Sequence, residues 1–257
     1  LPTYDRIGKS YDSTRRADPF ILGRLLYHLN SKPGEKILDV ACGTGNYTIA
    51  LAQSGLTMHG IDQSSVMIEK ACKKSDRVRW HLGDAEQMPF TDKSFTGALC
   101  TLAIHHFKDM RPIFAEVHRV LEQGRFVIFT ADPDPMKKSW LNNYFPEMMT
   151  KSAERIPRKE VVTKNLIDVG FAIISTERFY VTETLQDLFL FAGKHRPALY
   201  LDPQVRAGIS SFAEIATIEE VERGLAHLAR DIDSGKIRDV IASDPNESEY
   251  LFIVAQK

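Results

Sequence analysis

Short apolar runs alternate with amphipathic segments through the first half of the chain. Ile37 to Ala41 has the length of a buried parallel strand. Pro33-Gly34 turns into it, and Gly43 and Gly45 break it before a helical segment from Tyr47 to Ala52. Four more runs read as strands: Thr57 to Ile61, Val78 to Leu82, Phe95 to Thr101 and Gly124 to Ala131. Between them, Val66, Met67, Ala71 and Cys72 make the apolar stripe of a helix whose Lys70, Lys73 and Lys74 point to solvent. Asp109 to Leu121 forms another, with Ile113, Phe114, Val117, Val120 and Leu121 as its core face. Upstream, Asp18-Pro19 reads as an N-cap and first turn, and Ile21, Leu22, Leu25, Leu26 and Leu29 share one face of the helix that follows. Strands alternating with helices predict an α/β fold with a mostly parallel sheet.

The second half is more helical. Trp140, Leu141, Tyr144, Phe145, Met148 and Met149 lie at helical spacing and read either as packing or as the wall of a cavity. A helix is expected over Arg158 to Val169, a sixth strand over Phe171 to Val181 and a seventh over Tyr250 to Ala255. About seventy residues separate those strands, too many for a structureless loop. Three apolar stripes there predict helices: Leu185, Leu188, Phe189 and Ala192; then Val205, Ile209 and Phe212; then Ile218, Val221, Leu225, Leu228 and Ile232. The expected organisation is one domain over 1–257: an arm and helix over 1–32, a ligand-binding core over 33–133, and a helical insertion over 182–248. That insertion is expected to cover an acceptor cleft or to serve as an oligomer contact.

Charge narrows the range of partners. Lys+Arg 33 against Asp+Glu 34 leaves a formal net charge of -1 over 257 residues, which argues for no nucleic acid as partner. No apolar run approaches the ~20 residues of a membrane span, so no membrane is expected either. Cys42, Cys72 and Cys100 show neither zinc nor redox spacing, so no metal is expected. They read as small apolar side chains in a reducing, cytoplasmic compartment.

The candidate chemistry gathers at the carboxyl ends of the strands. The strand–glycine–helix unit opens many nucleotide-binding folds, because glycine accepts positive φ and lets a ligand approach the backbone. The dinucleotide pattern G-x-G-x-x-G is incomplete here, since Thr48 takes the third glycine position. Asp39 lies inside the first strand, where a carboxylate repels a pyrophosphate but suits a ligand bearing an ammonium group. Asp62 ends the second strand, placed to accept two hydroxyl hydrogen bonds from a ribose or to cap the next helix. Asp84 follows the third strand, where it could accept from an adenine amino group. His105 and His106 follow the fourth, at the mouth of the expected cleft. His106 could serve as general base for an acceptor hydroxyl, or the pair could be loop structure.

Taken together, D-V-A-C-G-T-G, G-I-D-Q-S, G-D-A-E-Q-M-P-F, T-L-A-I-H-H-F and V-L-E-Q-G-R-F-V-I-F stand in the order of the class I S-adenosylmethionine-dependent methyltransferases. Over about Ile37 to Thr130 the chain resembles their ubiquinone/menaquinone-biosynthesis-like subgroup, which includes many small-molecule enzymes. One departure is Glu122-Gln123-Gly124, where the family usually has P-G-G. The resemblance implies a Rossmann-like seven-stranded sheet, order 3-2-1-4-5-7-6, with strand 7 antiparallel and helices on both faces. It also implies S-adenosyl-L-methionine as cofactor. Asp39, Ala41, Gly43 and Gly45 would line its methionine end; Asp62 would hold the ribose, and Gln63 and Met67 would flank the adenine. Asp84 and Ala85 would face the adenine edge, and Thr101 and Leu102 the sulfonium. In the arm, Y-D-S-T-R resembles a segment that lids the cofactor, with Tyr11 and Arg15 as candidates and Arg15 on the methionine carboxylate. The implied activity is methyl transfer to a small-molecule acceptor, apolar or aromatic, including those of secondary metabolism. The alternative is a catalytically silent S-adenosylmethionine-binding protein acting through partners.

Overall fold

The computed structural model describes residues 11–245 and 247–257; the side chain of Tyr11, one of the expected cofactor residues, lies outside the described residues. Seven strands form one sheet: β1 (Lys36–Val40), β2 (Thr57–Asp62), β3 (Arg79–Leu82), β4 (Phe95–Thr101), β5 (Leu121–Ala131), β6 (Ala172–Phe179) and β7 (Tyr250–Gln256). Their order is β3-β2-β1-β4-β5-β7-β6, the order the resemblance implies. All pairings up to β4–β5 are parallel, and β7 runs antiparallel between β5 and β6. β1 lies at the reversal point: the chain builds outward through β2 and β3, then returns to place β4 on the other side of β1. A crevice opens at the carboxyl ends where strand order reverses, and ligands of open α/β sheets bind there.

The two-residue period of the strands divides the core. Val127 and Phe129 of β5 join one apolar cluster with Ile21, Leu25 and Phe252, while Phe126 and Ile128 join a second, on the opposite face, with Val117, Leu166 and Ile253. Helix α1 (Pro19–Leu29) supplies Ile21 and Leu25 to the first cluster. Asp18 caps it, accepting from the backbone N–H groups of Phe20 and Ile21 at 2.9 and 3.1 Å. Helices α2 (Asn46–Gln53), α3 (Ser65–Lys74) and α4 (Met110–Val120) are the crossovers of the parallel half. Cys100 is buried as expected, but Cys72 is exposed on α3 and Cys42 borders the cleft.

Beyond β5, α5 (Pro146–Arg155) and α6 (Lys159–Asp168) precede β6, and α7 (Ile218–Asp233) and α8 (Ile237–Ala242) precede β7. The stripe Leu185, Leu188, Phe189, Ala192 does not form the expected helix; its residues lie in turns. The reason is where its donors go. The Gln186 N–H donates to Asp18 Oδ2 at 3.0 Å and the Leu188 N–H to the Thr14 carbonyl at 3.1 Å, while Leu185, Phe189 and Ala192 make only short turn bonds within the segment, so no helical ladder forms. Phe189, Leu190, Phe191 and Ala192 are all buried, which a one-sided helix would not allow. The cluster from Trp140 to Met149 is packing: all six of its apolar side chains are buried. Among the described residues, no helix is long and apolar enough to cross a membrane.

Helix α7 is locked to α5 from below. Glu220 is buried and its carboxylate accepts from the backbone N–H groups of Glu147 and Met148 at 2.8 and 3.0 Å, capping an α5 terminus that has no side-chain cap of its own. One turn on, Gly224 faces the same junction, where an added Cβ would come 2.4 Å from the Tyr144 carbonyl oxygen. Gly→Ala in an exposed helix gains up to ~1 kcal/mol, but overpacking costs about 1–3 kcal/mol. Gly224→Ala is therefore expected to lower the thermal midpoint, which differential scanning calorimetry would show; an increase would mean that the junction is looser than described.

Candidate functional site

The turn after β1 is built from left-handed residues. Ala41, Gly43 and Gly45 have φ of 57, 56 and 77°. The two glycines serve different ends. A Cβ on Gly45 would strike the Trp80 ring at 2.1 Å, whereas a Cβ on Gly43 would meet nothing within 4 Å and would project into open space. That space is a cleft of about 400 Å³ at the carboxyl ends of β1, β2 and β4.

Asp39 forms its floor. The residue is buried; its Oδ2 accepts from the Thr48 hydroxyl at 2.6 Å, while Oδ1 is buried with no hydrogen-bond partner. Thr48, which breaks the dinucleotide pattern, thus holds one oxygen and leaves the other without a partner, in a residue that lines the cleft. Burial pushes the carboxyl up to about 7, opposed by the Thr48 hydrogen bond and reinforced by the charge of Asp62. A buried, half-satisfied carboxylate beside an open glycine backbone suits an ammonium group.

Asp62 closes the turn. Its Oδ2 accepts from the Gly43 N–H at 2.8 Å and its Oδ1 from the Ser64 N–H at 2.9 Å, so two backbone donors fix its orientation at the cleft. Ser64, rather than Asp62, caps α3 through the Met67 N–H at 3.3 Å. Gln63, Met67, Asp84 and Ala85 form the next stretch of wall. Met67 is buried, and Asp84 accepts from the Glu86 N–H at 2.9 Å. Thr101 and Leu102 form the opposite side. Leu102 has φ of 53° and is pinned by its N–H to the Phe129 carbonyl at 2.7 Å.

The arm reaches the same cleft. Arg15 lines it as half of a two-point ion pair with Asp187, Nε to Oδ1 and Nη2 to Oδ2 at 3.3 Å. The Tyr47 hydroxyl also donates to Asp187, at 3.2 Å. Asp187 and Tyr47 are cleft residues that the sequence reading passed over; an acid within the apolar run Leu185 to Phe189 was the available signal. Lys74 is not the solvated residue expected. It reaches Asp12 at 2.8 Å, Thr44 at 3.0 Å and Asn46 at 2.6 Å, tying the arm to the glycine turn.

His106 sits in the single turn Ile104–His106 after β4 and is half-buried. Burial, with the nearby Arg155 charge, pushes its pKa down to about 4, so the ring is neutral across the physiological range. A narrower pocket of about 70 Å³ adjoins the cleft and shares Arg15, Leu102 and His106 with it. Ala131, Met136, Phe189, Ile209 and Tyr250 give that pocket apolar walls, and His105, Ser152, Ser211 and Arg155 its polar ones. Among the described residues, no group of three or more His, Cys, Asp or Glu could hold a metal ion.

A family model described as a methyltransferase domain matches residues 38–129. A demethylmenaquinone methyltransferase from Chlorobaculum parvum is 33% identical over 157 residues, which is 53% of this chain and 65% of that protein. An uncharacterized Bacillus subtilis methyltransferase, YcgJ, is 33% identical over 130 residues, 48% of this chain and 51% of that one. The chain thus spans about half to two thirds of these curated relatives. A solved structure from Anabaena variabilis, assigned to methyltransferases of an antibiotic biosynthesis pathway, is 34% identical. It covers 94% of this chain and 98% of its own, with a TM-score of 0.86. Fold and cleft define a class I nucleotide-cofactor α/β protein. The chain belongs to the S-adenosylmethionine-dependent methyltransferases. S-adenosylmethionine fits the residues present: its ammonium matches the unpartnered Asp39 oxygen, and its ribose the Asp62 carboxylate.

The Asp39 carboxyl has a folded pKa near 7, above the unfolded value of about 3.9, so ionising it costs stability as pH rises between the two. The cofactor's ammonium favours the ionised form. Affinity should therefore rise with pH through about 7. Asp39→Asn should weaken binding on the order of 10- to 100-fold at pH 8, flatten that pH dependence, and raise the thermal midpoint of the ligand-free protein. Calorimetric titration and thermal melts at several pH values check all three.

Proposed function

We propose that this chain transfers the methyl group of S-adenosylmethionine to a small acceptor with an apolar or aromatic body. The observation that carries the reading is the apolar side pocket, which meets the cofactor cleft at Leu102 and His106. Bound S-adenosylmethionine supplies a methyl group made electrophilic by its sulfonium charge. The chain's part is to align and to exclude water. Asp39 would hold the methionine end of the cofactor and Asp62 the ribose at its middle, with Gln63, Met67, Asp84 and Ala85 around the adenine at the far end. Leu102, fixed by its N–H, forms the wall between cofactor and acceptor. The near-neutral charge of the chain supports a small molecule over a nucleic acid. The match to nearly the whole antibiotic-pathway relative supports an acceptor of secondary metabolism.

His106 is the acceptor-side group. A neutral imidazole with a pKa near 4 is too weak to ionise a resting hydroxyl. It suffices once the acceptor oxygen begins to bond carbon, because that oxygen then becomes strongly acidic. The His106 ring would take the acceptor's proton as the hydroxyl oxygen is alkylated, while the methyl group and its departing sulfur would be the cofactor's contribution.

Transfer of labelled methyl from the cofactor to a panel of small phenols and enols tests this reading. Turnover of at least one hydroxyl acceptor is expected, reduced on the order of 10²- to 10⁴-fold in His106→Ala. The acid limb of the rate should fall near pH 4 rather than at the ordinary histidine value. Cofactor binding without transfer to any member would contradict it.

A further inference from the structure

The side pocket has an uneven chemistry that the reading above leaves unused. Its walls mix apolar side chains with Arg15, His105, His106, Ser152, Arg155, Ser210 and Ser211; the Ser152 hydroxyl is bonded to that of Ser211 at 2.9 Å, and two other places bear on a ligand. At one, the His105 Nδ1 is buried with no hydrogen-bond partner among the described residues. At the other stands Arg155, the last residue of α5. The second cation of the lining, Arg15, is already committed in two-point geometry to the buried Asp187. Arg155 is not. Its one ion pair is Nη1 to Glu214 Oε2 at 3.5 Å, its side chain is 50% exposed, and it makes no hydrogen bond among the described residues. Such a long, half-solvated pair is weak and readily exchanged. Burial holds His105 well below the ordinary histidine value, and the Arg155 charge contributes in the same direction there and at His106.

A guanidinium is a planar fork that matches a carboxylate in two parallel hydrogen bonds. A pocket lined by an exchangeable guanidinium, an unpartnered imidazole nitrogen and apolar side chains suits a molecule that joins a carboxylate and a hydrogen-bonding group through an apolar body. We propose that the acceptor is a small aromatic carboxylic acid, its carboxylate bound by Arg155 and a hydroxyl or amine at its far end hydrogen-bonded to His105. This rests on the reading of the chain as a small-molecule methyltransferase and deepens it by naming the acceptor class. Arg155 and His105 then determine specificity. Glu214 acts as the resident counter-ion that the acceptor's carboxylate displaces, so the pocket carries no uncompensated charge when empty.

The test measures binding, not turnover. The protein is first saturated with S-adenosylhomocysteine, the demethylated cofactor, in a titration that stands alone as a check of cofactor binding. Failure at that step would count against the methyltransferase reading itself. The loaded protein is then titrated with 4-hydroxybenzoate, 4-hydroxyphenylacetate and 4-hydroxycinnamate, and with the amide of each, by calorimetry and ligand-observed NMR. At least one acid should bind on the order of tenfold or more tightly than its amide. Arg155→Gln should abolish that preference by weakening the acid alone, and Arg155→Lys should restore part of it. Glu214→Gln should tighten the acid several-fold by removing the competing carboxylate. His105→Phe should weaken acid and amide alike. Equal binding of acid and amide, a preference that survives Arg155→Gln, or no binding of any acid to the loaded protein would each overturn the proposal while leaving cofactor binding in place.

Discussion

A buried carboxylate with one oxygen satisfied and the other without a partner is the constraint on which this structure turns. Asp39 lies in the central strand, flanked by β2 and β4, and its position leaves it no solvent. An unpaired buried charge of this kind costs several kcal/mol unless it is protonated or matched. Thr48 compensates in part, from a position where the dinucleotide folds carry glycine. The remainder is left for a ligand. Backbone strain is concentrated at the same place: Ala41 and Leu102, both non-glycine, hold positive φ on the two sides of the cleft. Conformations of that cost persist where surrounding structure imposes them. Here the Cys42 N–H to the Ile61 carbonyl and the Leu102 N–H to the Phe129 carbonyl do so, tying each strained turn to the neighbouring strand.

The second organising feature is a clasp between distant parts of the chain. The arm contributes Thr14, Arg15 and Asp18; the segment after β6 contributes Gln186, Asp187 and Leu188. Every link between them uses a backbone donor or a two-point ion pair, so the geometry is specific. Since Arg15 and Asp187 both line the cleft, the arm and the late segment are fixed to each other at its mouth. Further along, Glu220 caps α5 from α7, and α5 carries Ser152 and Arg155 to the side pocket. The main cleft is therefore built by local strand-turn-helix units, and the side pocket by long-range ties.

That division explains what could be read from the chain. The strands, the glycine turn and the acids at strand ends depend on residues a few positions apart, so they could be read locally, and the family resemblance they carry implied the sheet order and the cleft residues. Asp187 was hidden because its partner is Arg15, 172 positions away. The stripe at Leu185, Leu188, Phe189 and Ala192 imitated a helix because its spacing fits one, yet the intervening Leu190 and Phe191 are buried as well, and periodicity carries no sign of backbone donors bonded elsewhere. Lys74 looked like its neighbours on α3 for the same reason. Its partners Asp12, Thr44 and Asn46 come from two other segments. Tertiary ties between an arm and an excursion leave little local trace, and the side pocket is made of them.

The most direct measurement is a calorimetric titration of S-adenosylmethionine and, separately, of its demethylated product into the wild-type protein and Asp62→Ala. The account predicts micromolar binding of both compounds and a loss of about tenfold or more in the variant, because its ribose partner and the anchor of the Gly43 turn are removed together. Well-folded protein that binds neither compound, or an Asp62→Ala variant that binds as tightly as wild type, would contradict it.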